Sequence, residues 1–154
     1  LAASTTPAEG VPLFMNGVGG LGAPFWRPDF PCEFVGEGDE AARLAAVIES
    51  IVFLLCVNLE RLQRSAPLRR VRISGGLARN EYLCRCLASL SGLPVERPAA
   101  VEATARGVAY LAVGKPASWH NVPIEQTFTP SAAPALTARY GRWQSEMASR
   151  GATA

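Results

Sequence analysis

The chain has very few of the side chains that enzymes use most for acid–base and metal chemistry. Its 154 residues include one histidine, His120, and two aspartates, Asp29 and Asp39. A histidine-based metal site or a Ser-His-Asp triad would depend on a single ring beside a proline-containing loop, so we assign His120 no role. Asp29 lies in a proline-rich segment and Asp39 suits a helix cap. We therefore predict no catalytic residue and no metal ligand in this chain.

Cysteine is also scarce. The chain has four, namely Cys32, Cys56, Cys84 and Cys86. Their spacing fits neither a disulfide framework nor a zinc site, and Cys84 and Cys86, two positions apart on a predicted helix, point to different faces. Four free thiols are typical of a protein in a reducing cytoplasm, which is the location we predict.

Lysine occurs once against 14 arginines, and the formal net charge is +2. Because the arginines are scattered along the chain, we predict no nucleic-acid partner. The longest apolar run, from Leu44 to Leu59, is interrupted by Glu49, Ser50 and Asn58 and is too short to span a bilayer. No signal peptide opens the sequence, so we also predict no membrane partner.

The composition is nevertheless that of a folded domain, with 49% hydrophobic residues in 154 positions. Residues 1–10 are small and polar and are expected to be a disordered lead-in or a cut end, and residues 11–150 are expected to form the domain. Strand and helix patterns alternate along it, which predicts an α/β fold with a mainly parallel sheet.

Several helices can be placed from their periodicity and caps. Asp39 is expected to cap a long central helix that runs to about Arg64, with Glu49 as the one acidic residue in its apolar middle. The helix from Glu102 to Ala112 is rich in small side chains, which predicts close packing against a neighbour. A final helix should carry an apolar stripe that comprises Leu136, Tyr140, Trp143 and Met147.

The most informative stretch is Val71–Asn80. Val71 and Ile73 alternate with polar residues as in a strand, Gly75 and Gly76 follow, and Glu81 to Leu90 has the pattern of a helix. A glycine pair at the end of a strand lets a flat ligand approach the main chain, and the following helix turns free N–H groups towards an anion. A nucleotide fits this description. The plainer interpretation is a simple turn, because the stretch matches no standard phosphate-loop motif.

The neighbouring motifs distinguish these interpretations. Their residues are Gly20-Leu21-Gly22-Ala23-Pro24-Phe25-Trp26, Gly75 to Asn80, Leu93 to Pro98 and Glu102 to Ala112. In this order they resemble the carboxyl-terminal region of the FGGY carbohydrate kinases, in the glycerol-kinase-like branch, from about Val11 to Trp119. The resemblance implies part of a ribonuclease-H-like lobe, the fold of the actin, hexokinase and Hsp70-type ATPases. It also implies that a carboxylate at Glu49 satisfies backbone groups or an arginine, and that the Glu102–Ala112 helix lies between two lobes.

The resemblance further implies a function. The intact kinase would transfer a phosphoryl group from ATP, with Mg²⁺, to a hydroxyl of a sugar or polyol. Gly75, Gly76 and Leu77 would line the adenosine through the main chain, and Asn80 would offer its amide to the adenine edge. In such kinases the phosphate loops, the catalytic aspartate and most sugar contacts come from the preceding part of the protein. This chain is therefore expected to be a truncated carboxyl-terminal lobe, inactive alone, that meets ATP or ADP directly and the sugar through the missing lobe.

Two positions depart from the glycerol kinase pattern. Ser74 stands where an aspartate is common, and Arg27 follows Trp26 where an acidic residue is usual, so a polyol or a keto sugar is as open as glycerol. Phe25 and Trp26 could form a sugar-facing wall, although aromatic residues between prolines more often cover a core. The competing hypothesis is a non-catalytic nucleotide- or protein-binding module derived from a sugar kinase. An incomplete sheet would also leave an open edge, which predicts homo-oligomers.

Overall fold

A computed structural model describes residues 10–120 and 122–153. Apart from Gly10, the predicted lead-in lies outside the described residues. In chain order the elements are β1 (Leu13–Asn16), β2 (Cys32–Val35), α1 (Glu40–Ser65), β3 (Val71–Arg72), a 3₁₀ turn (Gly76–Arg79), α2 (Glu81–Ser91), β4 (Val95–Pro98), α3 (Ala103–Ala112), a second 3₁₀ turn (Ala117–His120), β5 (Ile124–Phe128) and α4 (Pro134–Ser149). They form two compact units: unit 1 runs to Pro67 and resumes at Ala132, and unit 2 is Leu68–Ser131.

Helix α1 is the centre of unit 1, and its predicted start and end are confirmed. Asp39 caps it, because its carboxylate accepts a hydrogen bond from the Ala42 N–H at 2.8 Å, and the helix ends just before Pro67. With 26 residues it is long and apolar enough to cross a bilayer by length and composition, so the expectation that its apolar run is too short is not confirmed. Here it packs on β1, with Val52 and Cys56 buried.

Helix α4 packs on α1 through the predicted apolar stripe, whose four residues are all buried. The Phe53 ring of α1 lies 5.2 Å from the Tyr140 ring and 5.5 Å from the Trp143 ring, measured between centroids. The Tyr140 hydroxyl donates to Glu60 at 2.8 Å, and burial, followed by this acceptor, raises the pKa of Tyr140 far above its ordinary value. This aromatic cluster joins the two helices of unit 1.

A buried ion pair joins the same helices. Arg139 of α4 donates from Nε and Nη2 to the two carboxylate oxygens of Glu49 at 2.8 and 2.6 Å, and both side chains are almost fully buried. The prediction that Glu49 satisfies an arginine is thus confirmed. The paired geometry is what allows a charge to lie in an apolar helix face.

The sheets are small and mixed, so the expectation of a mainly parallel sheet is not confirmed. In unit 1, β1 and β2 are antiparallel, with Leu13 opposite Val35. In unit 2 the strand order is β3-β4-β5; β3 and β4 are parallel, whereas β4 and β5 are antiparallel. Strands β2 and β5 were not predicted, because short runs next to prolines have the composition of loops. Both strands pair antiparallel to their neighbours, so one sheet is antiparallel and the other is mixed.

Helix α3 does not pack as its small residues predicted. No residue of α3 is buried in this structure, and Val108 and Leu111 are 64% and 61% exposed. The small side chains do provide a shallow surface, but in the described residues that surface is not covered. Close packing of α3 is therefore not seen within unit 2, and its expected place between two lobes stays a prediction.

Candidate functional site

The predicted site residues lie together at the end of β3. Pairing of β3 with β4 extends to Ile73, whose N–H donates to the Glu96 carbonyl at 3.0 Å, and Ser74 and Gly75 then leave the sheet. The 3₁₀ turn begins at Gly76, and α2 begins only at Glu81. We call residues Gly75–Asn80 the glycine turn. The order of strand, turn and helix agrees with the prediction, but a 3₁₀ turn separates the glycine pair from the α-helix.

Gly75 has a backbone conformation that favours glycine, with φ of +87°. Its N–H donates to the Val101 carbonyl at 2.7 Å, and its carbonyl accepts from the Ala78 N–H at 3.1 Å. A Cβ added at Gly75 or Gly76 would meet no atom within 4 Å. The main chain at the glycine pair therefore borders open space. A ligand can contact a main-chain surface only if such space is present.

Leu77 and Ala78 occupy opposite environments in the turn. Leu77 is 54% exposed, whereas Ala78 is completely buried. The first N–H groups of a 3₁₀ turn have no acceptor within that turn, because each bond is made to a carbonyl three residues earlier. Gly76 and Leu77 are in these first positions. The turn thus combines backbone donors with an exposed apolar side chain.

Asn80 has a structural role that our sequence reasoning missed. It is the N-cap of α2: its Oδ1 accepts from the Leu83 N–H at 2.9 Å, and its own N–H donates to the Leu77 carbonyl at 3.0 Å. Asparagine ahead of an apolar helix pattern is itself a cap signal, so the role could have been found. The cap uses the amide oxygen and fixes the side chain. The amide Nδ2 remains as the group that can donate to a ligand.

A second residue that was not predicted supports the turn from the sheet. Arg97 of β4 donates from Nη1 to the Ala78 carbonyl at 3.3 Å and from Nη2 to Gln126 Oε1 at 2.6 Å. The same carbonyl accepts a weak bond from the Cys84 thiol at 3.4 Å. Burial raises the pKa of Cys84, and the nearby Arg97 charge opposes this. The buried carbonyl of the glycine turn therefore has a charged donor.

The second sequence motif, Gly20–Trp26, forms a tight loop in unit 1. Leu21 and Arg27 close it with two backbone hydrogen bonds of 2.7 and 2.9 Å. Trp26 has φ of +53° and its side chain is 74% exposed, so the interpretation of this aromatic residue as a cover for the core is wrong. Arg27 pairs with Asp29 at 3.3 Å and donates to the Gly151 carbonyl at 3.1 Å. Arg27 thus joins the loop to the segment that follows α4.

Unit 1 also contains a cavity of about 370 Å³ beside β2 and α4, with Glu37 and Arg142 among its lining residues. None of the predicted site residues lines it. Within residues 10–120 and 122–153, no group of three or more histidine, cysteine, aspartate or glutamate side chains could hold a metal ion. The predicted site residues are thus confined to the glycine turn of unit 2.

Known proteins resemble the chain over nearly all of its length. The family model for the FGGY family of carbohydrate kinases, C-terminal domain, matches residues 1–114. A glycerol kinase from Polaromonas sp. is 33% identical over 92% of this chain. One from Delftia acidovorans is 39% identical over 71% of it. The chain spans 32% and 24% of the lengths of these two relatives.

Solved structures agree on the fold. A xylulose kinase from Brucella ovis matches 96% of this chain with a TM-score of 0.76 and 24% identity. The Plasmodium falciparum glycerol kinase, solved with ADP, matches 90% with a TM-score of 0.72 and 20% identity. The chain covers 33% and 30% of those two proteins. At these identities the likeness supports the α/β fold and no particular ligand contact.

Proposed function

Because this chain belongs to the FGGY family of carbohydrate kinases, through that family's C-terminal domain, we propose that it is the adenosine-binding part of an ATP-dependent sugar or polyol kinase. The observation that carries the proposal is the open glycine turn, where a β-carbon added at Gly75 or Gly76 would meet no atom within 4 Å and the Leu77 side chain is 54% exposed. Such a surface suits a flat base and its ribose, because no β-carbon stands between ligand and backbone at the glycine pair.

Each predicted contact has a physical basis. Gly75, Gly76 and Leu77 contact the adenosine through the main chain, with Leu77 adding exposed apolar surface for the base. Asn80 donates from Nδ2 to an acceptor nitrogen on the adenine edge, while its Oδ1 stays in the cap of α2. Because the Asn80 side chain is already held by the helix cap, it loses little conformational entropy when a ligand binds. Its single hydrogen bond to the base can therefore contribute fully to affinity.

Phosphoryl transfer itself depends on groups that this chain does not place at the site. The reaction needs Mg²⁺, phosphate-binding loops and a carboxylate that takes the proton of the accepting hydroxyl. Asp39 caps α1 and Asp29 pairs with Arg27, so both aspartates already have structural roles. We expect the 154 residues alone to show no ATP-dependent phosphorylation of glycerol, xylulose or gluconate in a coupled ADP-release assay; turnover above background would contradict this.

The complete enzyme would take ATP with Mg²⁺ and a small sugar or polyol, in the cytoplasm and without a membrane or nucleic-acid partner. The curated relatives named above are glycerol kinases. The family resemblance implies an acidic residue at the position of Arg27, whose guanidinium is engaged with Asp29. We therefore propose the class of sugar or polyol kinases rather than glycerol kinase itself. Self-association stays a prediction, to be checked by light scattering, and the exposed Val108 and Leu111 favour it.

The test exploits the two roles of Asn80. Asn80→Asp keeps an oxygen acceptor for the Leu83 N–H at a helix amino terminus, where a negative charge is favourable. It removes the Nδ2 donor and turns a carboxylate towards the acceptor nitrogens of adenine. In the complete kinase we expect the KM for ATP to rise about tenfold, with the KM for the sugar unchanged, since one hydrogen bond to the base is replaced by repulsion.

Asn80→Ala is the matched variant. It loses the cap as well as the donor. The KM for ATP should therefore rise relative to wild type, as for Asn80→Asp, while the free energy of unfolding falls by about 1 kcal/mol. If Asn80→Asp leaves the KM for ATP unchanged, or raises the KM for ATP and the KM for the sugar equally, the glycine turn does not bind the adenine.

A further inference from the structure

We propose that Arg97 is the positioning residue of this site: it holds the backbone of the glycine turn in the position and orientation that nucleotide binding requires. The inference rests on the proposed function, because it concerns the same turn. It adds a residue from another strand, 17 positions beyond Asn80, that does not touch the ligand surface directly. Its effect on nucleotide binding is transmitted through the Ala78 carbonyl.

The place of Arg97 in the sheet explains why it reaches the turn. It lies on β4 opposite Gln126 of β5, next to a register shift between Arg97 and Pro98. A bulge of this kind turns a side chain away from its regular direction. The guanidinium lies 5.6 Å from the centre of the Phe128 ring, its Nε is 3.5 Å from the Glu125 carboxylate, and the side chain is only 11% exposed. The side chain is therefore held from several directions.

Arg97 bonds the turn at its buried carbonyl. Ala78 is completely buried, so its carbonyl requires a partner inside the protein. The other donor within reach is the Cys84 thiol at 3.4 Å, and a thiol is a weak donor. The charged Nη1 group is the stronger of the two. Loss of Arg97 would therefore leave the middle of the turn weakly held.

The ends of the turn have partners of their own, since Gly75 is tied to Val101 and Asn80 to Leu83. The backbone donors at Gly76 and Leu77 lie between Gly75 and Ala78. A shift of Ala78 therefore re-aims those two donors. Because binding groups must be held to within a fraction of an ångström, the expected result is weaker nucleotide binding without a change at the sugar.

Arginine is required here rather than any cation. Its planar fork can bond the Ala78 carbonyl and the Gln126 amide oxygen at the same time, whereas the single ammonium of lysine cannot reproduce both directions. Arg97→Lys therefore keeps the positive charge but cannot make both hydrogen bonds, to Ala78 and to Gln126, at once. Arg97→Met removes the charge as well and keeps most of the apolar stem that lies against Phe128.

The experiment measures both substrate constants in the complete kinase for Arg97→Lys, Arg97→Met, Asn80→Asp and a control, Arg72→Met. Arg72 lies on the neighbouring strand and bonds Glu96 at 3.1 Å rather than the turn. We expect Arg97→Lys and Arg97→Met to raise the KM for ATP about tenfold, because the turn's contacts with the base become misplaced. The KM for the sugar should stay unchanged, and Arg72→Met should leave both constants unchanged.

The outcomes separate the two proposals. If Asn80→Asp raises the KM for ATP and Arg97→Lys does not, the positioning role is wrong and the proposed site stands. If neither variant changes it, the proposed site fails and the positioning role fails with it. If the Arg97 variants raise both substrate constants equally, Arg97 is only structural. Should Arg97→Met not fold, Arg97→Lys decides the question by the same criteria.

Discussion

Two arginines, one in each unit, show how differently the same side chain is used. Arg139 of unit 1 is buried between α1 and α4 and bonds both oxygens of Glu49. Arg97 of unit 2 bonds a backbone carbonyl beneath a turn whose outer side is open. The first holds two helices of a closed core together, and the second supports a surface. The buried ion pair is thus in unit 1, and the proposed ligand contacts are in unit 2.

The sharpest way to test this contrast is to remove one partner of the buried pair. Glu49→Ala leaves the buried Arg139 guanidinium without its carboxylate, and breaking a pair of this kind costs about 3–5 kcal/mol. We expect a loss of that size in the free energy of unfolding, measured by urea denaturation. The KM for ATP should not change in the protein that remains folded, because Glu49 belongs to unit 1.

The control replaces both partners with apolar residues of similar volume. Glu49→Leu combined with Arg139→Met leaves no buried charge, so most of the lost stability should return. If the double variant is as unstable as Glu49→Ala, the cost lies in packing and not in the charge. If Glu49→Ala costs less than about 1 kcal/mol, the pair is not the buried connection that we describe.

The parts of the fold that the sequence predicted depend on local signals. Asp39 was identified as a helix cap, and in the structure its carboxylate accepts from the Ala42 N–H. Caps act within three or four residues, so the sequence displays them directly. Strands β2 and β5 were missed because only pairing with distant partners makes those short segments extended, and that pairing determines sheet direction.

The same distinction applies to the site. Gly75, Gly76, Leu77 and Asn80 are consecutive or nearly so, and a strand pattern that breaks at two glycines locates them. Arg97 has no local signal, because the positioning role that we propose depends on a bulge opposite Gln126 and on a carbonyl 19 positions earlier. Glu49 was expected to satisfy an arginine, but its partner, 90 positions away, could not be named. Contacts of this kind follow only from the folded chain.

A second test compares the core with the turn. Gly75→Ala introduces a β-carbon at φ of +87° and ψ of 179°, a backbone region that costs a non-glycine residue about 1–3 kcal/mol. The free energy of unfolding should fall by that amount, less than for Glu49→Ala. The KM for ATP should rise as well, because relief of the strain moves the turn. Urea denaturation and steady-state kinetics of the complete kinase measure the two effects, and an unchanged stability would contradict the conformation of Gly75.

Gly76→Ala is the matched control and has the smallest expected effect on the fold. Gly76 has no strained φ, and its added β-carbon would meet no atom of the protein within 4 Å. Stability should therefore stay within about 0.5 kcal/mol or increase slightly, since alanine restricts the unfolded chain. The same methyl group projects into the space that we assign to adenosine, so we expect the KM for ATP to rise about tenfold, as for a steric clash of about 1.4 kcal/mol, with the sugar constant unchanged. A Gly76→Ala enzyme with both wild-type stability and wild-type affinity for ATP would mean that the ligand does not approach the main chain there, and the open side of the turn would need another explanation.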